Sequence, residues 1–462
     1  MGPNHLREDH FRNLQSMVDH DRFSTGASVL DLHSRDQSHH PPSLPHAVIW
    51  PVDRFEVSEV VKYANANGIA VVGWGSGSSL DGNPIPVRGG IVLDFSQMNH
   101  VLDIREKDFQ ADLEPGVIYQ DLNHKLRHKG LFFPPDPGAR ATIGGMIANN
   151  ASGTRTVRYG ATKDHVLQLT VVLANGEILE LGTRASKTSS GYDLVHLIVG
   201  SEGTLGVVVE ATVRLVGLPE ALSIGIFSFP TVVAAGKVVF EIVRGGLDPA
   251  ALELLSPECI ELINKERGLG LKVSPTLFIE FHGPSMGHLA EVMAMAEALC
   301  REGGADDFRT GLERDVREEL WKARHELGEM IVRNHPERDH MGIDVAVPVT
   351  GYPEMIALAK DEVGKAGMPG YIFSHAGDGN FHLVMMAKKG DTKEREAFEK
   401  INTRIVSKAI GLGGTATGEH GVGLGKRQFM AEEHGSSLEW MRRIKDLFDP
   451  KGILNPDKVF PH

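Results

Sequence analysis

A loop rich in glycine and serine, directly after an apolar strand, places the strongest constraint on what this chain can fold into. Its residues are Gly73-Trp74-Gly75-Ser76-Gly77-Ser78-Ser79-Leu80-Asp81-Gly82. Upstream, a predicted strand at 47–51, a helix at 57–66 and a strand at 69–72 form the start of a βαβ unit. Successive backbone N–H groups in such a loop make a concave anion site, to which serine hydroxyls add donors. The loop therefore predicts a site for a pyrophosphate group.

Two familiar phosphate-binding arrangements do not fit this loop. A Rossmann βαβ unit has an acidic residue about 20 residues further on, where Asp94 stands. The segment before Asp94 contains Pro84, Pro86, Gly89 and Gly90, which leave no room for the required helix. A P-loop is excluded because no Gly-Lys-Ser/Thr follows. A plain glycine-rich turn remains the alternative to a nucleotide site.

Composition limits the classes of partner. The 462 residues are 41% hydrophobic and 24% charged, which suits a globular protein of two or three domains. The net charge of −13 argues against nucleic-acid binding. Cys259 and Cys300 form no Cys-x-x-Cys pair, which argues against iron–sulfur clusters. No apolar run reaches the roughly 18 residues of a membrane-spanning helix, and the first residues are polar. We therefore expect a cytoplasmic protein, with peripheral membrane association left open.

Two histidines bracket a short polar loop between apolar runs. His375 and His382 flank Gly377 and Gly379, which allow the backbone to turn sharply. A strand–loop–strand corner of this kind can direct both imidazoles at one point. Downstream, Glu419 could complete a His-His-carboxylate metal site that leaves positions open for substrate. The spacing matches no fixed motif such as His-Glu-x-x-His, so ordinary loop histidines stay an alternative.

The remaining pattern predicts further elements. A polar, glycine-rich passage at 133–153 is typical of a binding segment. Before a boundary near 217–219, strands are predicted at 101–113, 166–173, 177–181, 198–207 and 208–215, with a helix at 117–129. Beyond it, strands at 222–229, 251–255, 273–282, 343–347 and 371–373 alternate with helices at 232–244, 289–301, 311–332, 352–366, 394–411 and 438–449. This alternation predicts an α+β cap with an antiparallel sheet.

Several motifs in a fixed order carry a family resemblance. They are the loop at 73–82, Pro134-Pro135-Asp136-Pro137-Gly138, Thr142-Ile143-Gly144-Gly145-Met146, Asn150-Ala151-Ser152-Gly153 and Gly200-Ser201-Glu202-Gly203-Thr204-Leu205-Gly206. Together they resemble the FAD-binding vanillyl-alcohol-oxidase superfamily, in the branch of D-lactate dehydrogenase, glycolate oxidase and D-2-hydroxyglutarate dehydrogenase. The resemblance implies an α+β fold in four parts. These are an N-terminal arm (1–40), a PCMH-type FAD-binding domain of two subdomains (41–218), a ferredoxin-like-derived cap for the substrate (219–430) and a C-terminal segment that returns to the FAD domain (431–462).

The resemblance also implies the cofactors and the site residues. FAD is expected to bind non-covalently, because the loop at 73–82 offers no His or Cys for attachment. A divalent metal, zinc or manganese, is expected on His375, His382 and Glu419, with His420 as the base. Arg324 is the expected clamp for the substrate carboxylate, because its fork suits a carboxylate; a surface helix charge is the alternative. The residues expected to bind FAD are Trp74, Gly75, Ser76, Gly77, Ser78, Ser79, Leu80, Pro135, Asp136, Thr142, Gly144, Gly145, Asn149, Ser152, Gly153, Glu202, Gly206, Val207 and Asn455.

The expected reaction is oxidation of a D-2-hydroxy acid to a 2-oxo acid, with electrons passed to an external cytochrome, quinone or electron-transfer flavoprotein. The D-2-hydroxyglutarate enzymes usually carry Asn where Val384 follows Leu383, and a Lys just before the Asp-Val strand, where Gly342 and Ile343 stand. An unpaired buried carboxylate is costly, so D-lactate is favoured. A D-2-hydroxyglutarate dehydrogenase, a glycolate oxidase subunit and a metal-free flavin oxidase that uses oxygen remain alternatives, and a homodimer is left open.

Overall fold

The computed structural model describes residues 6–311 and 314–461. The described part of the first half of the chain contains helices and three sheets, one of them the two-stranded pair of β7 (Leu131–Phe132) and β11 (Val216–Gly217). Its elements are α1 (Glu8–Gln15), β1 (Phe23–Ser24), α2 (Ala27–Leu32), β2 (Ala47–Ile49), α3 (Arg54–Asn67), β3 (Val71–Trp74), β4 (Ile91–Asp94), β5 (Val101–Arg105), β6 (Gln110–Leu113), α4 (Tyr119–Arg127), β7 (Leu131–Phe132), α5 (Ile143–Asn149), α6 (Thr156–Tyr159), β8 (Val166–Val172), β9 (Ile178–Gly182), α7 (Leu194–Ile198), β10 (Val207–Arg214) and β11 (Val216–Gly217).

The predicted βαβ start is confirmed. Strands β2 and β3 both pair in parallel with β4, which lies between them, and α3 connects β2 to β3. The Asp53 side chain caps the start of α3, and Gly68 ends it in the left-handed conformation. A second, antiparallel sheet follows in the order β5-β6-β10-β8-β9. The Gly-Ser loop therefore leaves the carboxyl end of a buried parallel strand, as the sequence predicted.

Two predictions in this half are wrong. The strand predicted at 101–113 is a hairpin of β5 and β6, because Phe109 takes a left-handed φ of 56° and reverses the chain. The region predicted as a strand at 198–207 is mostly a turn, which contains Glu202 at φ 54°. The turn connects the last residue of α7 to the first residue of β10. The reversal at Phe109 has no glycine to mark it, which is why that pattern read as extended. In the second turn Gly200 and Gly203 also take positive φ values, of 81° and 69°, so these glycines mark a turn and not an interrupted strand.

The second half is an α+β unit around one large sheet. Its elements are β12 (Ala221–Ser228), α8 (Val232–Arg244), β13 (Ala251–Leu255), α9 (Pro257–Arg267), β14 (Thr276–Gly283), α10 (Met286–Glu302), β15 (Asp307–Thr310), α11 (Arg314–His325), α12 (Leu327–Asn334), β16 (Arg338–Ala346), α13 (Tyr352–Ala366), β17 (Gly370–His375), β18 (Asn380–Lys388), α14 (Thr392–Gly411), α15 (Met430–His434) and α16 (Ser437–Phe448). The seven strands run in the order β15-β12-β14-β13-β17-β18-β16, and every pair is antiparallel. The predicted antiparallel cap sheet is therefore confirmed.

The helix predicted at 311–332 corresponds to two helices, α11 and α12, which meet at Glu326. Residues 312 and 313 of that prediction lie outside the described residues. The break matters for the site because Arg324 stands in the last turn of α11, where it is directed at the sheet.

The faces of the cap sheet have different partners. Helices α8, α10, α13 and α14 cover one face and bury the larger core of this unit. Helices α9, α11 and α12 cover part of the opposite face. The first half of the chain contacts that opposite face too, where Arg158 donates to the backbone oxygen of His282 at 2.7 Å. The polar side chains described below lie on this face.

The end of the chain returns to the first sheet. The backbone N–H of Val71 donates to Ile453 at 2.8 Å, and that of Asn455 donates to Val71 at 2.8 Å. The buried ammonium of Lys458 donates to the backbone oxygen of Ile85 at 2.6 Å. Among the residues that the structure describes, no helix combines the length and the apolar character needed to cross a membrane.

Candidate active site

The strand–loop–strand corner has the predicted form. Strands β17 and β18 pair antiparallel, with His375 at the end of one strand and His382 within the other. Gly379 turns the chain at φ 79°, and a Cβ there would lie 2.0 Å from the backbone oxygen of Val347. The corner therefore requires glycine, and it directs both imidazoles to one side of the sheet.

Glu419 meets both histidines. Its Oε1 lies 3.2 Å from the Nε2 of His375 and 3.2 Å from the Nε2 of His382. All three side chains are less than a tenth exposed. The two rings stand edge to face, with centroids 5.2 Å apart. Two imidazole nitrogens and one carboxylate oxygen thus converge on a single point, which is the donor set of an open metal site.

Carboxylates face the outer nitrogens of these histidines. The Nδ1–H of His375 donates to Glu253 Oε1 at 2.7 Å, and the Nδ1 of His382 lies 3.4 Å from Asp344 Oδ1. Metal-bound histidines commonly have such a partner, which selects the tautomer that leaves Nε2 free. Burial alone would lower the pKa of His375, but Glu253 and Glu419 raise it well above its ordinary value. The pocket thus favours positive charge between two carboxylates, and a divalent cation fits that requirement.

His420 lies beside this cluster. Its ring stacks on that of His382 with centroids 5.2 Å apart and an angle of 8° between planes. Its backbone N–H donates to Asp344 at 3.0 Å, and its Nδ1 lies 3.7 Å from Asp81. Burial lowers the pKa of His420, although Asp344 opposes the shift. A neutral imidazole at this position can accept a proton.

Arg324 approaches the cluster from α11. Its Nε donates to Glu253 Oε2 at 2.8 Å, and its guanidinium lies 5.0 Å from the ring centroid of Phe373. Its NH2 group is buried 2.6 Å from the same oxygen of Glu253. Arg324 therefore forms a buried ion pair with Glu253, and the alternative of a surface helix charge is wrong. A guanidinium has five N–H donors, so the donors that Glu253 does not engage are available to a carboxylate.

A cavity connects the Gly-Ser loop to the histidine cluster. It encloses about 900 Å³, part of it open to solvent. Eleven of the residues expected to bind FAD line it: Gly75, Ser76, Gly77, Ser78, Ser79, Leu80, Thr142, Gly145, Asn149, Glu202 and Asn455. Glu419 and His420 line the same cavity. Gly77 holds the loop at φ 66°, and a Cβ there would lie 2.6 Å from the Trp74 ring. The nucleotide cradle and the metal-ligand cluster are two ends of one space.

Comparison with known proteins identifies the family. A family described as FAD linked oxidases, C-terminal domain, matches residues 218–459, and an FAD binding domain matches residues 45–182. The chain is a member of the FAD-linked oxidases. It is 38% identical over 451 residues to a probable mitochondrial D-lactate dehydrogenase of Danio rerio, covering 97% of this chain and 90% of that protein. It is 36% identical over 444 residues to a mitochondrial D-lactate dehydrogenase [cytochrome] of Arabidopsis thaliana, covering 96% and 78%.

The solved structures agree on the fold. A 4-ethylphenol oxidase from Gulosibacter chungangensis superposes with a TM-score of 0.81 at 18% identity, covering 100% of this chain and 99% of that one. The predicted superfamily, the α+β fold and the FAD cofactor are thus confirmed. This FAD-linked oxidase is an FAD-dependent oxidoreductase.

Eight residues expected to bind FAD do not line the cavity of this FAD-linked oxidase: Trp74, Pro135, Asp136, Gly144, Ser152, Gly153, Gly206 and Val207. Some of them support its walls instead. Asp136 accepts the Tyr119 hydroxyl at 2.7 Å, and Trp74 packs 4.9 Å from the His33 ring. The hydroxyl of Ser152 donates to Glu419 Oε2 at 3.0 Å, so it holds the candidate metal ligand from the FAD side.

Several residues of the site were not found from the sequence. Asn83 lines the cavity, and its amide donates to Glu202 at 2.7 Å. The Glu202 carboxylate also accepts the backbone N–H groups of Val422 and Gly423 at 2.6 and 2.9 Å. Glu253 and Asp344 were missed as well. A sequence signal existed for both, because each is a lone carboxylate inside an apolar strand, where an unpaired charge would be costly.

Proposed function

We propose that this FAD-linked oxidase oxidises D-2-hydroxy acids, D-lactate above all, with the help of a divalent metal. The observation that carries the proposal is the shared cavity, which the Gly-Ser loop lines at one end and Glu419 and His420 line at the other. A substrate between them would face a hydride acceptor on one side and a proton acceptor on the other. The relatives described above, which are named D-lactate dehydrogenases, support the same reaction.

The side chains divide the work of removing a proton and a hydride from one carbon. FAD would accept the hydride, and a divalent cation on His375, His382 and Glu419 would stabilise the negative charge left on the hydroxyl oxygen. His420, neutral and only partly exposed beside them, accepts the hydroxyl proton. Arg324 holds the substrate carboxylate through the guanidinium N–H groups that Glu253 does not use.

The sheet beyond the site favours a short or apolar substrate tail. Gly342 and Val384 are cross-strand partners, two pairs along the strands from Asp344 and His382. Because side chains alternate along a strand, this pair faces the same side as the histidine cluster. Among the residues that the structure describes, none has an atom within 4 Å of a Cβ built at Gly342, and Val384 is half-buried. The two positions offer no cation or amide to a second carboxylate, so D-2-hydroxyglutarate is disfavoured.

Electrons must leave the flavin for a separate acceptor. The chain has only two cysteines, Cys259 and Cys300, and both are buried and unpaired. A built-in iron–sulfur relay therefore has no ligands. A cytochrome is the acceptor we propose, in line with the name of the Arabidopsis thaliana relative.

The test is anaerobic reduction of the purified flavoprotein. D-Lactate should bleach the flavin absorbance, whereas L-lactate and D-2-hydroxyglutarate should do so at least about tenfold more slowly. EDTA should abolish the bleaching, and Zn²⁺ or Mn²⁺ should restore it. His382→Ala should behave like chelated enzyme, and His100→Ala, which removes an exposed histidine, should behave like wild type. Faster reduction by an L-acid would contradict the proposed preference for D-acids, and full activity in EDTA would contradict the proposed metal dependence.

The same assay in air distinguishes the proposed dehydrogenase from a metal-free oxidase. Peroxide released at the rate of substrate loss would favour direct reduction of oxygen. Slow peroxide release together with rapid reduction of cytochrome c would support the dehydrogenase.

A further inference from the structure

Asp344 is a buried carboxylate with four hydrogen-bond donors around it. Its Oδ1 accepts the amide of Asn380 at 2.7 Å. Its Oδ2 accepts the Thr417 hydroxyl at 2.9 Å and the backbone N–H groups of Glu419 and His420 at 2.9 and 3.0 Å. The Asp344 side chain is 0% exposed. One carboxylate therefore contacts the segment that carries both the candidate metal ligand and the candidate base.

Asp344 also lies next to His382. The two residues are cross-strand partners of β16 and β18, and Asp344 Oδ1 lies 3.4 Å from the Nδ1 of His382. Asp344, His382 and His420 could by themselves suggest a second cation site. The donors argue against it, because a carboxylate has about four lone-pair sites and Asp344 already accepts four hydrogen bonds. Protein donors and the His382 ring thus surround Asp344, and Glu419 is the carboxylate whose Oε1 faces the Nε2 atoms of His375 and His382.

The segment from 417 to 420 is irregular, so it has no helix or strand to fix its backbone. Its side toward the FAD-binding half is held by Ser152, which donates to Glu419, and by Asn149, which donates to the backbone oxygen of His420 at 3.1 Å. On the cap side, Asp344 supplies the acceptors for its two backbone N–H groups. Without that carboxylate, the two N–H groups would be buried and unpaired.

We propose that Asp344 is the positioning residue of this site: it sets the backbone of Glu419 and His420 and the orientation of His382 at once. The role rests on the proposed function, which assigns a metal ligand and a base to that segment. Asp344 does not contact the reacting atoms. It acts by holding two metal ligands and the base in one geometry, so its loss should affect metal affinity and turnover together.

The test is Asp344→Asn in the full-length, FAD-loaded protein. Asparagine keeps the shape but presents an NH2 group to donors that need an acceptor. After chelation and desalting, Zn²⁺ alone is titrated into each protein by calorimetry. Loss of such an outer partner commonly weakens metal binding by about 10- to 100-fold, and we expect that loss here. Hydrogen exchange at the amides of Glu419 and His420 should also speed up, and kcat should fall more than KM rises.

Matched variants separate positioning from general destabilisation. Glu362→Gln removes another buried carboxylate of the cap. Glu362 lies on α13, on the opposite face of the sheet, and pairs with Arg404 of α14. Glu362→Gln should leave the Zn²⁺ affinity unchanged, as well as the rates of hydrogen exchange at the amides of Glu419 and His420. Thr417→Val removes one donor to Asp344 and should weaken Zn²⁺ binding by about 2- to 10-fold. This milder variant decides the question if Asp344→Asn does not fold.

The outcomes distinguish this proposal from the proposed function. If Asp344→Asn and Thr417→Val bind Zn²⁺ as wild type does and keep the two amides protected, Asp344 is not the positioning residue, whatever the substrate. If wild type oxidises no 2-hydroxy acid but the variants lose Zn²⁺ affinity and protection, the proposed function fails and the positioning role stands. If wild type binds no Zn²⁺, the exchange rates of the two amides decide, and equal rates in wild type and variants overturn the role.

Discussion

The ion pair between Glu253 and Arg324 offers a sharp test of how this site is built. Glu253 is 0% exposed and accepts both the Nε of Arg324 and the Nδ1–H of His375. Glu253→Gln keeps the shape of the side chain but leaves the Arg324 guanidinium buried without a counter-charge. Breaking a buried pair in this way costs about 3–5 kcal/mol. For a unit of about 200 residues, each kcal/mol lowers Tm by about 2–4 °C, so we expect a fall of about 6–20 °C.

The assay is calorimetric unfolding of the FAD-loaded protein in EDTA, so that changes in metal binding do not contribute. Glu258→Gln is the matched control, because it breaks an ion pair to Lys360 in which both side chains are about two-fifths exposed. Exposed ion pairs contribute about 0–1 kcal/mol to the free energy of unfolding, so the Tm of Glu258→Gln should fall by less than about 4 °C.

A double variant isolates the buried charge as the cause. Adding Arg324→Met to Glu253→Gln removes the unpaired guanidinium and should recover at least half of the lost Tm. The buried charge is not the cause if Glu253→Gln lowers Tm no more than Glu258→Gln does, or if Arg324→Met lowers Tm further in the Glu253→Gln background.

Three further predictions concern other parts of the molecule. Gly77→Ala should weaken FAD binding by about 5- to 150-fold in a fluorescence titration, because a left-handed φ costs other residues about 1–3 kcal/mol. Gly268→Ala, also left-handed but with open space around it, should not affect FAD binding. Gly342→Lys combined with Val384→Asn should raise kcat/KM for D-2-hydroxyglutarate relative to D-lactate by about tenfold or more, because a charge-assisted hydrogen bond contributes about 1.5–3 kcal/mol. Burial lowers the pKa of Lys458 to about 8, against about 10.4 when unfolded. Between these two pKa values the unfolded chain binds more protons than the folded chain, so the contribution of Lys458 to the free energy of unfolding rises with pH. From pH 7 to 10, wild type should gain about 2–3 kcal/mol relative to Lys458→Met in chemical unfolding.

Each of these has an outcome that contradicts it. Equal FAD affinity in Gly77→Ala and Gly268→Ala would mean that the loop does not need its left-handed turn. An unchanged preference in the Gly342 and Val384 double variant would place the substrate tail elsewhere. A constant stability difference between wild type and Lys458→Met across that pH range would show that Lys458 is not desolvated in the folded state.

Local chemistry explains why many elements were predictable. The helices Val232–Arg244 and Tyr352–Ala366 and the strand Ala251–Leu255 have the bounds that the sequence predicted. The first is capped by Thr231, whose side chain accepts the Ala234 N–H, and the second is followed by Gly367, which caps it with φ 64°. Such signals lie within a few residues of the element they delimit. The reversal at Phe109 carries no comparable signal, so two strands read as one.

The sequence by itself determined the chemistry of the site: the glycine-serine loop, two imidazoles seven residues apart and a carboxylate next to a third histidine. Only the tertiary structure decided where these groups meet. The 3.2 Å distances from Glu419 to His375 and His382 depend on the register of β17 with β18. They also depend on hydrogen bonds that reach the Glu419 segment from both halves of the chain. The physical reason is that an irregular segment has no conformation of its own, so its geometry is set by distant donors and acceptors that local sequence patterns do not encode.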